Sequence, residues 1–358
     1  MKKIDDSPKL TIVTPTFNLI KNGRENLFRN IVDIIQKQTY SNIEHLIIDG
    51  GSTDGTCKLL KKYADKGLIK FYSEVDHGVY DAFNKGLQKA SGTYIAYMGS
   101  DDTYYHQDSV KLLMDAIIEN NTDWAYGDTL YQTENGNLWF WKGTLKSLPF
   151  GSGPCHQSMI VSVEKMKEIG GFEQNNAVAD IDVMLKLVKH NYTSTYVNSI
   201  ISIFRAGGWS TKEGGDSLKR SFLKSFYNLF GKTLNLSKNE CELLYAGECF
   251  SKLSPKENIE LGLKLSYPEW VKTFFSKDWC ILKDPNTEAI SSFPLPNQKT
   301  EKRFYLLGIP LIKTRNGIRN FSFYFLGVKI FNIKKKMSKS KYALLGVSIL
   351  KTKEKRKY

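Results

Sequence analysis

Two adjacent aspartates, Asp101 and Asp102, close the stretch Gly92-Thr-Tyr-Ile-Ala-Tyr-Met-Gly-Ser-Asp-Asp. Residues 94–98 form a short apolar run that suits a buried strand, so both carboxylates fall where that strand ends. In an open α/β sheet, ligands bind in the crevice at the carboxyl ends of the strands. Neighbouring acids repel each other unless a cation or a donor shares the site. A divalent ion holding a diphosphate answers that need, because Mg²⁺ is commonly held by carboxylates together with substrate phosphates. The plainer alternative is an acidic turn, since Asp favours turns. At a strand end, Asp102 is expected on the surface, where it adds little to stability.

These acids need a scaffold. Strands are expected from Leu10 to a stop at Pro15, at 43–49, at 69–73 and at 94–98. Helices are expected between them at 26–38, where Leu27, Ile31, Ile34 and Ile35 form a stripe, and at 56–64 and 79–90. Strand and helix alternating at short spacing imply βαβ units, an α/β fold and a mainly parallel central sheet. Beyond Asp102 the pattern loosens. A helix is expected at 109–119, antiparallel strands at 124–131 and 138–141, a short helix at 163–169 ending at Gly170-Gly171, and a longer one at 179–190. From Ser217 to about residue 275 the pattern is helical.

Several motifs follow one another in order. They are Ile12-Val-Thr-Pro-Thr-Phe-Asn18, Ile47-Ile-Asp49-Gly-Gly-Ser-Thr-Asp54-Gly-Thr, Gly78-Val-Tyr-Asp-Ala-Phe-Asn84-Lys-Gly86 and Gly99-Ser-Asp-Asp102. His156-Gln157, Gly170-Gly171-Phe172 and Ala179-Asp180-Ile-Asp182 complete the series. Over roughly residues 8–215 the chain resembles the family 2 glycosyltransferases. That resemblance implies the GT-A nucleotide-sugar-binding fold and inverting transfer of a sugar from a nucleotide-diphosphate donor, a UDP-sugar by preference. The third and last motifs resemble enzymes of bacterial surface-polysaccharide assembly, whose acceptors are glycans or lipid-linked oligosaccharides.

By the resemblance, Thr14, Pro15 and Thr16 offer backbone groups to the nucleobase or ribose, Asp49 accepts the uracil N–H, and Asp81 lines the nucleotide cleft. Plainer readings are a strand-ending proline, a helix cap for Asp49 or Asp54, and solvated helix polars for Asp81 and Asn84. Asp102 is expected to hold Mn²⁺ or Mg²⁺, with Asp101 on the ribose or supporting the metal shell. Asp180 is the expected catalytic base. Ala179 stands where many relatives have Glu, and Asp182, two residues on, should point elsewhere on the helix. His156 is expected near the acceptor or diphosphate. The 204–210 loop, with Gly208, is expected to close over the donor and bring Arg205 to phosphate.

Composition narrows the class. A hydrophobic content of 41% suits a folded chain, and nothing approaches the ~18 uninterrupted apolar residues of a membrane span. The N-terminus is charged and lacks the apolar core of a signal peptide. Five cysteines without a Cys-x-x-Cys pair suggest free thiols in a reducing cytosol. From residue 302 on, 16 Lys and Arg face one acid, Glu354, leaving 35 basic and 36 acidic residues before it. A nearly neutral body thus carries a basic tail. The tail repeats itself: Phe304-Tyr-Leu-Leu-Gly308, Phe323-Tyr-Phe-Leu-Gly327 and Tyr342-Ala-Leu-Leu-Gly346, with glycines 19 residues apart, each read as a strand pair around a glycine bend. The expected organisation is a catalytic domain at 8–215, a helical extension at 216–280, a proline-bearing linker at 281–300 and a small β-rich basic repeat region at 301–358. Nucleic-acid binding would explain the charge, but no zinc-finger or RNP-like motif accompanies it. A catalytically inactive sugar-binding relative is opposed by the intact acids. The tail is expected to meet an anionic membrane surface, which would place the protein in the cytoplasm on the inner face of the plasma membrane.

Overall fold

Leu10–Thr16 (β1) starts the sheet because its β-branched side chains suit a strand buried on both faces. In the computed structural model, which describes residues 7–207, 215–267 and 270–271 and the backbone of six strands between 300 and 353, β1 lies between Ile43–Asp49 (β2) and Tyr94–Tyr97 (β4), parallel to both. Lys70–Ser73 (β3) adds to β2, also in parallel. The helices Glu25–Gln36 (α1), Thr56–Ala64 (α2) and Val79–Lys89 (α3) connect these strands.

Alternation along the strands sends neighbouring side chains to opposite faces. Ile12, Ile47, Ala96 and Met98 join the core under α1, α2 and the helix Ser109–Asn120 (α4). Val13, Leu46, Ile48, Ile95 and Tyr97 join the core under α3 and the later helices Val163–Glu168 (α5) and Ala179–Lys189 (α6). A Cβ on Gly86 would come within 2.4 Å of Val13 Cγ1, so α3 rests directly on β1.

The sheet is continuously parallel through its first four strands. Met159–Ser162 (β8) runs antiparallel to both β4 and Trp124–Gln132 (β6) and reverses the direction. Ser194–Arg205 (β9) then pairs with β6 in parallel, while Leu138–Trp141 (β7) and Thr103–Tyr104 (β5) pair antiparallel with β6 and β9. The order is β3-β2-β1-β4-β8-β6-β9-β5, with β7 off the path. The expectation of a mainly parallel sheet is therefore corrected to a mixed one. Past Asp102 the chain adds β5, β7 and β8, each antiparallel to its neighbours.

The chain continues into Gly215–Phe226 (α7), Lys238–Leu244 (α8), Cys249–Lys252 (α9) and Pro255–Lys264 (α10). Capping boxes start two of these helices, Ser237 with Glu240 and Ser254 with Glu257. Phe222, Phe226, Phe230 and Trp270 pack ring against ring in sequence, stacked in the first pair and edge-on in the last, and Trp270 Nε1 donates to Leu145 O at 3.1 Å. Among the described residues no helix is long and apolar enough to cross a membrane.

Residues 292–358 form a second compact unit. Its strands Thr300–Leu306 (β10), Ile309–Asn316 (β11), Asn320–Phe325 (β12), Val328–Lys336 (β13), Lys339–Leu344 (β14) and Val347–Lys353 (β15) pair antiparallel in sequence order. The register shifts at Phe304/Tyr305, Phe323/Tyr324 and Tyr342/Ala343, so the irregularity recurs with the period of the sequence repeat. Gly208, Cys280, residues 281–299 of the expected linker, and Gly308, Gly327 and Gly346 lie outside the described residues.

Candidate active site

β1 pairs with β4 only as far as Val13, but with β2 as far as Thr16. The divergence opens a crevice at the carboxyl ends of β1, β2 and β4, the topological switch point where α/β sheets bind ligands.

On the β2 side Asp49 is fully buried and its carboxylate is saturated. Oδ1 accepts from Thr16 Oγ1 (3.0 Å) and Ser52 Oγ (2.6 Å), and Oδ2 from Ser52 N (2.9 Å) and Ser73 Oγ (2.7 Å). Burial pushes this carboxyl up, but the donors from Ser52, Ser73 and Thr16 outweigh it and hold it below its ordinary range. Thr14 Oγ1 faces inward to His45 Nε2 at 3.1 Å, and Pro15 is half-buried. Phe17, the next residue past β1, is 57% exposed. Asp54 takes Thr56 N (3.0 Å) and Lys21 N (2.7 Å), tying two loops together.

On α3, Asp81 accepts His77 N at 3.0 Å and Gln174 Nε2 at 2.8 Å, and Lys85 lies 3.4 Å away. Asp81 thus fixes the loop that precedes its own helix. Asn84 exchanges two hydrogen bonds with the backbone of Phe172, at 2.8 and 2.9 Å. The glycine before it, Gly171, has φ +66, and a Cβ there would sit 2.5 Å from Asn84 Oδ1. Gly171 thus makes room for the clamp.

Asp101 and Asp102 follow β4. The turn needs Gly99, where a Cβ would lie 2.5 Å from Asp102 Oδ2. Asp102 is 3% exposed, which corrects the expectation of a surface acid. Its Oδ2 accepts from Gln157 Nε2 at 2.7 Å and its Oδ1 from Arg205 N at 2.9 Å. Burial and the charge of Asp101 push the Asp102 carboxyl above its ordinary range, against the pull of those donors. Asp101 Oδ2 is 3.2 Å from the Arg24 guanidinium. Arg205 turns its own guanidinium to Asp101 O (2.6 Å) and Gln132 Oε1 (3.0 Å). Two adjacent oxygen ligands, one of them buried and short of positive charge, fit a hard divalent cation. Among the described residues no cluster of three or more His, Cys, Asp or Glu is placed to hold a metal, so phosphate and water oxygens would complete the shell.

Asp180 stands in the first turn of α6 with a side chain 25% exposed. Its Oδ2 lies 3.1 Å from His156 Nδ1, and its Oδ1 accepts Ile181 N (2.9 Å) and Tyr80 OH (3.4 Å). Burial raises this carboxyl and His156 lowers it; the balance lies below the ordinary range, so Asp180 is ionised at neutral pH. Asp182 is 2% exposed and pairs with Lys186 at 2.8 Å, away from Asp180. His156 and Gln157 share one short helical turn, His156–Ser158. Cys155 Sγ donates to Gln157 Oε1 at 2.6 Å, which leaves the Gln157 amide nitrogen facing Asp102.

Sequence reasoning passed over Asp76 and Arg24. Asp76 lies in the loop between β3 and α3, three residues past the end of the strand at Ser73. Nothing local to α1 marks Arg24 as the partner of Asp101.

The sequence relatives of the chain are glycosyltransferases, and they support the same activity here. Residues 11–172 match the model of glycosyl transferase family 2. The chain is 27% identical over 209 residues to the PGL/p-HBAD biosynthesis glycosyltransferase of Mycobacterium bovis, covering 56% of this chain and 78% of that one. It is 33% identical over 138 residues to glycosyltransferase GlyA of Streptococcus pneumoniae, covering 38% of this chain and 19% of the other. S. aureus TarS residues 1–349, solved with UDP-GlcNAc, superposes with a TM-score of 0.51 at 17% identity, over 76% of this chain and 89% of that one. That likeness supports the GT-A arrangement.

Proposed function

We propose that the chain transfers a sugar, with inversion, from a UDP-sugar to a hydroxyl of a glycan or lipid-linked oligosaccharide during surface-polysaccharide assembly. One observation carries this reading. Consecutive residues His156 and Gln157 contact Asp180 and Asp102, so one short turn sets a candidate base against the diphosphate acids.

The donor lies in the crevice beyond β1 and β2, walled by Thr14, Pro15, Thr16, Asp49 and Asp81, with Asp101 towards the ribose. Asp102, supported by Asp101, would hold Mn²⁺ or Mg²⁺, whose charge would offset that of the departing diphosphate. Asp180 takes the acceptor proton as the acceptor oxygen bonds to the anomeric carbon. The bond from that carbon to the diphosphate oxygen breaks on the opposite face, and its electron pair leaves with the nucleotide. A base must be ionised and within reach of the hydroxyl; the donors around Asp180 keep it ionised. Release of UDP from a panel of UDP-sugars in the presence of Mg²⁺ or Mn²⁺ tests the reading.

The basic C-terminal region is proposed to hold the enzyme at anionic lipid, where a lipid-linked acceptor lies. Lys and Arg near such a surface gain roughly 1 kcal/mol each, and salt screens the attraction. The full chain should sediment with anionic vesicles at low salt and be released at high salt. Equal sedimentation with neutral vesicles would rule this out.

A further inference from the structure

β7 reads Leu-Trp-Phe-Trp, with all four residues half-buried. Pairing with β6 sets Trp139 opposite Tyr131 and Trp141 opposite Thr129, and Tyr131 in turn lies opposite Phe204 of β9. Cross-strand partners share a face of the sheet, so Tyr131, Trp139, Trp141 and Phe204 line one side. Their rings meet there. Tyr131 and Phe204 are 5.6 Å apart between centroids, and Trp141 approaches Phe204 edge-on at 6.5 Å.

That side faces the 156–158 turn. Thr129 Oγ1 lies 2.7 Å from Ser158 Oγ, which closes the turn carrying His156 and Gln157. Trp141 Nε1 donates to Gly153 O at 3.1 Å, just ahead of the same turn. Arg205, which follows Phe204, gives its N–H to Asp102. The aromatic residues therefore continue outward from the candidate base and the metal acids. Tyr131 stands two residues beyond Thr129, about 7 Å along the strand, a distance comparable with one sugar unit.

Two polar tips on this shelf are open. Trp139 Nε1 and Tyr131 OH have no hydrogen-bond partner among the described residues, and no other ring there meets the Trp139 ring. The hairpin tip beyond them, Glu134-Asn-Gly-Asn137, is exposed and polar. Trp and Tyr combine an apolar body with a polar tip. A pyranose ring is their complement, with C–H groups on its faces and hydroxyls around its rim. A polyprenyl chain would cover the rings but bury both tips without a partner, which is costly.

We propose that Tyr131, Trp139, Trp141 and Phe204 hold the second pyranose ring of the acceptor, so that the enzyme acts on an oligosaccharide in preference to a single sugar. The inference rests on the glycosyl-transfer reading above. Asp180 meets the hydroxyl of the first ring, and the shelf fixes the second.

The test is a glycan array probed with the full chain in UDP and Mg²⁺, followed by fluorescence titration of each glycan that binds and of the single sugar at its non-reducing end. Oligosaccharides should bind roughly 5–30-fold more tightly than that single sugar, the range lost on truncating an aromatic anchor. Trp139→Ala should bring the oligosaccharide down to the level of the single sugar and leave the single sugar unchanged. Trp139→Phe keeps a flat ring and should retain most of the gain. UDP affinity, measured by calorimetry on the same samples, should be equal in all three proteins, which shows them folded and reports on the donor separately. Equal affinity for oligosaccharide and single sugar, full oligosaccharide binding by Trp139→Ala, or no glycan bound at all would overturn the inference and leave the donor reading standing. Binding of sugar-free polyprenyl phosphate that Trp139→Ala abolishes would give the shelf to lipid and overturn it too. An unaltered chain that binds no UDP would overturn the donor reading and this inference with it.

Discussion

His156 Nδ1 lies 3.1 Å from Asp180 Oδ2, and this contact ties the start of α6 to the acids beyond β4. The next residue, Gln157, completes the tie through Asp102. Neither acid is close to the other in sequence, so their spacing depends on the turn at 156–158. Tyr80 adds a third support, since its hydroxyl reaches Asp180 while its ring stacks on Phe172 at 5.5 Å.

Asp180→Asn keeps the shape of the side chain and removes its basicity. Turnover should fall about 10²–10⁴-fold, the usual range for a general base, with donor affinity unchanged. The loss belongs in kcat. Steady-state kinetics with UDP calorimetry separates the two. A variant within twofold of the parent would place the base elsewhere.

Asp102→Asn should abolish turnover and lower thermal stability by less than Asp102→Ala. Burial and then the charge of Asp101 push the Asp102 carboxyl up, so a neutral amide relieves that repulsion, but it keeps one acceptor oxygen and turns its NH2 towards Gln157 Nε2 or Arg205 N. Asp102→Ala is a harsher change, because it leaves Gln157 Nε2 and Arg205 N without their acceptor; the cost is about 1–3 kcal/mol. Thermal melting of both variants beside activity in excess chelator checks this. Full activity in chelator would remove the metal from the account.

Glu44 gives the pH dependence of stability. Burial opposes its charge, but Lys70, Ser91 and Thr11 donate to it and hold its pKa at about 2, against an ordinary 4.5. The folded value is depressed, so the stabilisation is complete above 4.5 and is lost as pH falls from there towards 2. A shift of that size is worth about 3 kcal/mol. Glu44→Gln should therefore cost about that much at pH 7 and progressively less below pH 4.5. Urea unfolding at pH 7, 5 and 3.5 measures it, and a cost independent of pH would refute the assignment.

The first half of the sheet is legible in the sequence because its signals are local. β1, β2 and β4 are apolar runs with helices between them, and Asp49, Asp101 and Asp102 mark their ends. β9 is harder to read. Asn198 and Ser199 break its alternation, and the pairing with β6 shifts register at Gly127 and Asp128. β8 spans only Met159–Ser162 and is defined by its two neighbours. Partner choice is the least legible feature. That Thr16, Ser52 and Ser73 would saturate Asp49, or that Arg24 would reach Asp101, depends on contacts between distant segments.

The central claim is transfer of a sugar from a UDP donor through Asp180 and Asp102. Its most direct measurement is UDP release from a panel of UDP-sugars by the full chain with Mg²⁺ or Mn²⁺, run beside Asp180→Asn and Asp102→Asn. The account predicts release from at least one UDP-sugar, dependent on the divalent ion and lost in both variants. No release from any UDP-sugar with release from another nucleotide sugar, or release that survives both substitutions, would contradict it.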